Sequence, residues 1–161
     1  MPYRVTFVCT GNICRSPMAE HILRRHAEDE GVDVKVDSSG TGRWHVGDSA
    51  DARTVATLRK AGYRSAHRAR QFEAGWFDRY DLILALDRGH RDDLLAMAPD
   101  ERARGKVRLV REFDPDARDP DVADPYYSRD SAFDEVREQI EASIPGLLEH
   151  VRGALKESSG T

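Results

Sequence analysis

Four short segments of the chain are rich in apolar residues, and polar segments with helical periodicity separate them. Residues 3–9 (YRVTFVC) combine β-branched and aromatic residues, whereas residues 32–38 (VDVKVDS) alternate between apolar and polar positions. Residues 81–87 (DLILALD) form the most apolar segment, and residues 106–113 (KVRLVREF) follow later in the chain. These patterns predict four β-strands, of which the first is buried.

A helix is predicted after each of the first three strands. For the first helix, Ser16 is a suitable N-cap, Pro17 suits the first helical position and Gly31 is a natural stop. The spacing of apolar residues predicts the next two helices over about residues 51–61 and 89–97.

A polar loop rich in Asp and Pro covers residues 114–130 and leads into the last helix. Pro145 should kink or interrupt this helix, because proline cannot donate a backbone hydrogen bond. Residues 156–161 (KESSGT) predict a flexible tail, so the folded domain is expected to span residues 1–155. The apolar residues on one side of the last helix are Phe133, Val136, Ile140, Ile144, Leu147 and Val151.

The alternation of strands and helices predicts the fold class. Strand–helix–strand units cross over with a right hand, which produces a parallel sheet covered by helices on both faces. The chain is therefore expected to form a single-domain α/β fold with three layers. Ligands of such sheets bind beyond the carboxyl ends of the strands, and Cys9 lies at that end of the first strand.

Composition narrows the possible functions. The chain has 161 residues, 34% of them charged, and its formal net charge is −4, so nucleic acid is not an expected partner. Its longest strongly apolar run is too short to span a membrane, and its start lacks the apolar core of a signal peptide. We therefore expect a cytoplasmic protein, with export without a leader left open. The two cysteines fit neither a disulfide framework nor a zinc site.

The loop after the first strand has the features of a phosphate cradle. Gly11 and Asn12 tolerate positive φ, which a tight loop with inward-pointing amides requires. Such amides at a helix N-terminus bind anions, and an arginine adds two parallel donors. Six residues form this connection: Thr10, Gly11, Asn12, Ile13, Cys14 and Arg15.

A cysteine at the base of such a cradle is suited to nucleophilic catalysis. Amides, the helix dipole and Arg15 favour a thiolate, and the hydroxyl of Ser16 could donate to the Cys9 sulfur. The Cys-to-Arg spacing alone is weak, because chance gives it roughly a third of the time in this composition. The preceding strand, the Gly-Asn pair and the Ser-Pro helix start are independent requirements, and the chain meets all of them.

A phosphate ester also needs a general acid to protonate its leaving oxygen. The loop after the fourth strand contains three Asp-Pro pairs, at Asp114, Asp119 and Asp124, which spacing alone does not separate. Only the third continues as DPYY, in which Tyr126 and Tyr127 could line a slot for an aromatic leaving group.

The stretch VCTGNICRSPMAE (residues 8–20) together with the late DPYY (residues 124–127) resembles the low-molecular-weight protein tyrosine phosphatases, particularly the actinobacterial members. The resemblance covers nearly the whole chain. It implies a four-stranded parallel sheet and hydrolysis of protein phosphotyrosine in two steps, with no metal or other cofactor. Phosphotyrosine-containing proteins would be the partners, inorganic phosphate the product and a monomer the expected state.

The resemblance also implies the roles of individual residues. Cys9 matches the nucleophile, Arg15 the transition-state clamp and Asp124 the acid that later becomes the base. Asn12 matches the residue that holds the loop in shape, and Ser16 matches the hydroxyl that stabilises the thiolate.

Four further positions rest on the resemblance. Ser38 and His67 match partners bonded to the loop asparagine, and Trp44 lies where the family places a residue on the pocket rim. Cys14 matches the second thiol, which raises the hypothesis that it captures oxidised Cys9 as a reversible disulfide.

Three alternatives accompany this interpretation. An arsenate reductase on the same scaffold would need a further pair of cysteines, which the chain lacks. A protein-arginine phosphatase would carry threonine in place of Ile13. A catalytically idle anion-binding module would be expected to have lost Cys9, Arg15 or Asp124, and all three are present.

Overall fold

A four-stranded parallel sheet forms the centre of the fold in the computed structural model, which describes residues 2–159. The strands are β1 (Tyr3–Cys9), β2 (Val34–Gly40), β3 (Leu82–Ala85) and β4 (Val107–Leu109). Their order across the sheet is β2-β1-β3-β4, so β1 lies in the interior and its carboxyl end adjoins those of β2 and β3.

Helices connect and cover the strands. Two short 3-10 helices at Ala74–Arg79 and Val110–Phe113 complete the secondary structure. Among residues 2–159, no helix is both long enough and apolar enough to cross a membrane. The α-helices are α1 (Arg15–Glu30), α2 (Ala52–Lys60), α3 (Arg88–Met97), α4 (Glu101–Arg104) and α5 (Ser131–Ser159).

The sheet is buried on both faces, which confirms the predicted three-layer α/β fold. Leu82 and Leu84 of β3 belong to the core cluster that also contains residues of α1, α2 and α5. Ile83 and Ala85 belong to a second cluster with α3 and α4. Successive side chains of a strand point to opposite faces, so a continuous apolar run is what a strand covered on both sides requires.

Several predicted boundaries differ from the structure. The strand predicted over residues 106–113 contains only Val107–Leu109, because Glu112 accepts a hydrogen bond from the backbone of Leu109 and a 3-10 turn follows. The N-cap role predicted for Ser16 is wrong. Helix α1 begins at Arg15, and the Ser16 hydroxyl bonds to groups of the preceding loop instead.

Pro145 does not interrupt the last helix, so that part of the prediction is wrong. Helix α5 runs continuously through the proline, with Ile144 and Leu147 buried on either side of it. Tertiary packing of this apolar face offsets the lost backbone hydrogen bond. Helix α5 also includes residues 156–159, whereas residues 160–161 of the predicted tail lie outside the described part of the chain.

Gly146 allows α5 to approach the turn after β4 closely. A Cβ atom at this position would lie 2.2 Å from the carbonyl oxygen of Phe113, a distance that backbone atoms cannot accommodate without moving. We expect Gly146→Ala to lower the free energy of unfolding by about 1–3 kcal/mol through overpacking.

Gly153 provides the matched control on the same helix, because a Cβ there meets no atom within 4 Å. Gly153→Ala should raise the free energy of unfolding by about 0.5–1 kcal/mol through helix propensity. Urea unfolding of both variants measures the difference, and equal effects of the two substitutions would contradict the close approach.

Candidate active site

The loop between β1 and α1 is shaped by one strained residue. Asn12 has a φ of 58°, in the left-handed region that few non-glycine residues adopt. Gly11 does not have a positive φ, although glycine was predicted to adopt one in this loop. The absence of a side chain at Gly11 instead leaves room for His45, because a Cβ at this position would lie 2.9 Å from Cδ2 of His45.

The side chain of Asn12 holds this turn from the inside. Its Nδ2 donates to Oγ of Ser16 at 2.8 Å and to Oγ of Ser38 at 3.0 Å, and its Oδ1 accepts from the backbone N–H of Arg70 at 2.9 Å. Asn12, Ser16 and Ser38 are all buried. His67 adds a fourth contact, because its Nε2 donates to the backbone carbonyl of Asn12 at 2.6 Å.

The thiol of Cys9 lies beneath this loop, at the end of β1. The backbone N–H of Asn12 points at Sγ from 3.3 Å, and Oγ of Ser16 lies 2.9 Å from Sγ. Because Ser16 already accepts a hydrogen bond from Asn12, its own hydrogen can be donated to the sulfur or to the carbonyl of Ser39, which lies farther away at 3.4 Å. The N-terminus of α1 adds partial positive charge beside the same atom, so hydrogen-bond donors and positive potential converge on the sulfur.

The second cysteine has a different environment. Burial, followed by the negative charge of Asp51, raises the pKa of Cys14 to about 12. Cys14 therefore remains a neutral thiol at physiological pH, which makes it a poor nucleophile. Both cysteines are buried and free of disulfide bonds.

Arg15 is buried at the start of α1, where its orientation is fixed. Its Nη1 donates to Oδ2 of Asp87 at 2.9 Å and to the backbone carbonyl of Val122 at 2.8 Å. Its Nη2 lies 3.8 Å from Oδ2 of Asp124 and 3.5 Å from Nε2 of His90. The guanidinium is thereby held at the edge of the site that contains Cys9.

The sequence analysis did not identify Asp87 or His90 as residues of the site. Burial alone would raise the pKa of Asp87, but hydrogen bonds from the His90 backbone and from Arg15 hold it below its usual value. Asp87 comes two residues after the end of β3, so the rule that directed attention to Cys9 could also have found it. His90 carried no such signal, because it lies within α3.

His90 is a buried neutral imidazole. Its Nε2 lies 2.8 Å from Oγ1 of Thr10, and its Nδ1 lies 3.2 Å from Oδ1 of Asp87. Burial, and then the positive charge of Arg15, lower the pKa of His90 to about 4. His90 thus contacts the loop after β1 through its ring Nε2 and bonds the carboxylate of Asp87 through its backbone N–H.

An open pocket lies above Cys9. Trp44 and Tyr127 form its rim, since they are 77% and 93% exposed, whereas Ser38 and His67 lie behind the loop and do not line it. His45, which the sequence analysis did not identify, also contributes to the wall. The pocket is lined by Cys9, Thr10, Gly11, Ile13, Cys14, Arg15, Trp44, His45, Asp124, Tyr126 and Tyr127.

The three Asp-Pro pairs differ in location. Each aspartate accepts a hydrogen bond from the backbone N–H two residues later, so their local turns are alike. Only Asp124 lines the pocket, whereas Asp114 and Asp119 belong to turns outside it. Among residues 2–159, no group of three or more His, Cys, Asp or Glu side chains is arranged to hold a metal ion.

Comparison with known proteins places the chain in a family. The model of the low molecular weight phosphotyrosine protein phosphatase family matches residues 4–157. A low molecular weight protein-tyrosine-phosphatase of Streptomyces coelicolor is 53% identical over 156 residues, which cover 94% of this chain and 95% of that protein. A low molecular weight protein-tyrosine phosphatase A of Mycobacterium tuberculosis is 47% identical over 93% of this chain and 92% of its own.

The fold agrees with these sequence matches. A protein tyrosine phosphatase structure from Entamoeba histolytica superposes with a TM-score of 0.87 at 29% identity, covering 98% of each chain. The chain therefore belongs to the low molecular weight phosphotyrosine protein phosphatase family and is an enzyme of that family. The family predicted from the two end motifs is confirmed, including its actinobacterial character.

The environment of His90 predicts a pH-dependent stability. The unfolded chain protonates this histidine below about pH 6.5, whereas the folded chain does so only near its lowered pKa of about 4. The unfolded state therefore binds more protons between these values, and the free energy of unfolding falls as the pH decreases. Between about pH 7 and about pH 4.5, His90 alone should contribute about 2 kcal/mol of this loss.

The variant His90→Gln lacks the titrating group and should show a correspondingly shallower fall. Urea unfolding of wild type and variant at the two pH values measures the contribution. An identical fall in both proteins would contradict the assignment of a buried neutral imidazole.

Proposed function

We propose that this enzyme hydrolyses phosphotyrosine in proteins through a cysteinyl-phosphate intermediate, without a metal ion. The convergence of Cys9, Arg15 and Asp124 in one pocket carries this proposal, because a nucleophile, a cation and a carboxyl group then face the same small volume. A relative of 53% identity that is named a low molecular weight protein-tyrosine-phosphatase supports the choice of substrate.

The phosphate loop provides the anion site. Backbone amides of the loop and the N-terminus of α1 would bind the three non-bridging oxygens of the phosphoryl group. Arg15 would add two parallel N–H donors, and its contacts with Asp87 and Val122 restrict its orientation before the substrate arrives. These donors would stabilise the charge on the equatorial oxygens in the transition state.

The first chemical step transfers the phosphoryl group to the enzyme. The Cys9 thiolate attacks phosphorus in line with the leaving oxygen, an S–P bond forms and the P–O bond to the tyrosine ring breaks. Protonated Asp124 donates its proton to the departing phenolic oxygen. The products of this step are the dephosphorylated tyrosine and cysteinyl phosphate.

The second step releases inorganic phosphate. The Asp124 carboxylate accepts a proton from a water molecule, whose oxygen attacks phosphorus as the S–P bond breaks. The electron pair of that bond returns to Cys9 as the thiolate. Ser16 and the backbone N–H of Asn12 stabilise this leaving group with the contacts that they already make to Sγ.

The walls of the pocket suit an aromatic substrate. Ile13 and Tyr126 present apolar surface beside Cys9, and Trp44 and Tyr127 stand exposed at the rim. A phenyl ring between these side chains would be stabilised by burial and by ring contacts of about 0.5–1.5 kcal/mol each. A phosphoguanidinium group would gain less from such walls, since it is polar.

The mechanism predicts different losses of activity for substitutions of Cys9, Asp124 and Asp119. Cys9→Ser should abolish hydrolysis of p-nitrophenyl phosphate and phosphotyrosine peptides. Asp124→Ala should lower kcat about 10²–10⁴-fold and remove the decline of the rate at high pH, which reports loss of the acid's proton. Asp119→Ala, at a similar Asp-Pro turn outside the pocket, should retain wild-type rates.

Rates measured from about pH 4 to about pH 8 without added metal test these expectations. Equal losses in the two aspartate variants would remove Asp124 as the acid. Faster turnover of phosphoarginine peptides than of phosphotyrosine peptides, or arsenate reduction with a thiol reductant, would replace the proposed substrate.

A further inference from the structure

The position of Asp124 depends on a loop that has few internal supports. Residues 124–130 leave the sheet edge and lead to α5. Inside this loop the N–H of Tyr126 donates to Oδ1 of Asp124 at 3.1 Å, and the N–H of Ser128 donates to the carbonyl of Pro125. These local turns shape the loop, but they join it to no other element of the fold.

Arg53 of α2 connects this loop to the rest of the molecule. Its Nη2 donates to the carbonyl of Tyr126 at 2.9 Å, and its Nη1 donates to the carbonyl of Ser128 at 3.3 Å. Its guanidinium carbon also lies 5.7 Å from the ring centre of Tyr126 and 4.6 Å from that of Phe133. Apart from contacts with the first turn of α5, Arg53 supplies the hydrogen bonds that join residues 125–130 to another element within the described chain.

The guanidinium is itself held in place. Oδ1 of Asp51, the N-cap of α2, accepts from the backbone N–H of Arg53 at 2.9 Å and from Nε at 3.1 Å. Oδ2 of Asp51 accepts from Nη2 at 3.0 Å. The hydrogen bonds from Arg53 hold the pKa of Asp51 below its usual value, so the pair remains ionised. The planar donor set thus binds a carboxylate and two carbonyls at once, which lysine cannot reproduce.

The same turn of α2 also contacts the phosphate loop. The backbone N–H of Asp51 donates to the carbonyl of Ile13 at 2.8 Å, and Oγ1 of Thr54 donates to the carbonyl of Cys14 at 3.4 Å. The start of α2 is therefore hydrogen-bonded both to the loop between β1 and α1, which surrounds Cys9, and to the loop that contains Asp124.

We propose that Arg53 is a positioning residue for the general acid, which rests on the role proposed for Asp124. By holding the carbonyl of Tyr126, Arg53 fixes the N–H that binds Oδ1 of Asp124 and so sets the carboxyl group relative to Cys9. Arg53 does not line the pocket. Its loss should impair proton transfer to the leaving oxygen and spare attack by the thiolate.

Leaving groups of different basicity separate these two effects. Phenyl phosphate needs a proton on its departing oxygen, whereas 2,4-dinitrophenyl phosphate releases a weakly basic phenolate that does not. The ratio kcat/KM covers all steps up to the first phosphoryl transfer, so it reports the departure of the leaving group. For Arg53→Gln we expect kcat/KM to fall about tenfold or more with phenyl phosphate and less than about threefold with the dinitrophenyl ester.

Two further variants control for charge and for the helix. Arg53→Lys keeps the charge but not the planar fork, and it should recover only part of the lost kcat/KM. Arg59→Gln removes an arginine from the same helix, whose Nε bonds Ser65 rather than the acid-bearing loop. This variant should match wild type with both esters. Competitive inhibition by inorganic phosphate should stay within about twofold of wild type in all three, because their phosphate loops are unchanged.

A double-mutant cycle with Asp124→Ala tests the coupling directly. If Arg53 acts through Asp124, Arg53→Gln should cost little more in the Asp124→Ala background, so the two losses will not add. Equal losses of Arg53→Gln with both esters, or losses that add in the double variant, would overturn the positioning role while leaving the acid assignment intact. If Asp124→Ala itself affects both esters equally, the proposed acid fails and the role of Arg53 fails with it.

Discussion

The left-handed turn at Asn12 is the constraint on which the rest of the site depends. A non-glycine residue in this region costs about 1–2 kcal/mol, and the turn persists because the side chain makes three hydrogen bonds of about 0.5–1.5 kcal/mol each. Those bonds also fix Ser16, and they orient the Asn12 N–H toward the sulfur of Cys9. One residue therefore couples the shape of the loop to the hydrogen bonds around the Cys9 thiol.

The parallel sheet brings the remaining chemistry to the same edge. Cys9 ends β1, and Asp87 comes after the adjacent strand β3. The carboxylate of Asp87 therefore lies close enough to Arg15 to orient it. Behind the loop, Glu20 accepts from Oγ of Ser38 at 2.6 Å, which leaves that oxygen to accept from Asn12. Because Asn12, Ser38 and Glu20 all have hydrogen-bond partners, their network stabilises one arrangement of the loop.

The sequence predicted the parts of the structure that local patterns encode. The positions of the strands, the ends of the helices and the loop after β1 all follow from periodicity and turn chemistry. The length of β4, in contrast, depended on the side chain of Glu112. Continuity of α5 through Pro145 depended on tertiary packing. Asp87 and Arg53 carry no motif of their own, since their partners lie 72 and 73 residues away in the chain. The contacts that these two residues make over such distances in the chain become visible only in the folded structure.

The most direct test of this account is the kcat/KM of Asn12→Gly with a phosphotyrosine peptide. Glycine tolerates the positive φ without strain, so the backbone can keep its turn while the amide contacts to Ser16, Ser38 and Arg70 are lost. We predict a folded protein whose kcat/KM falls by about 10²-fold or more, because several coupled hydrogen bonds of the site are removed together. A variant with wild-type kcat/KM would contradict the claim that these bonds organise the nucleophile.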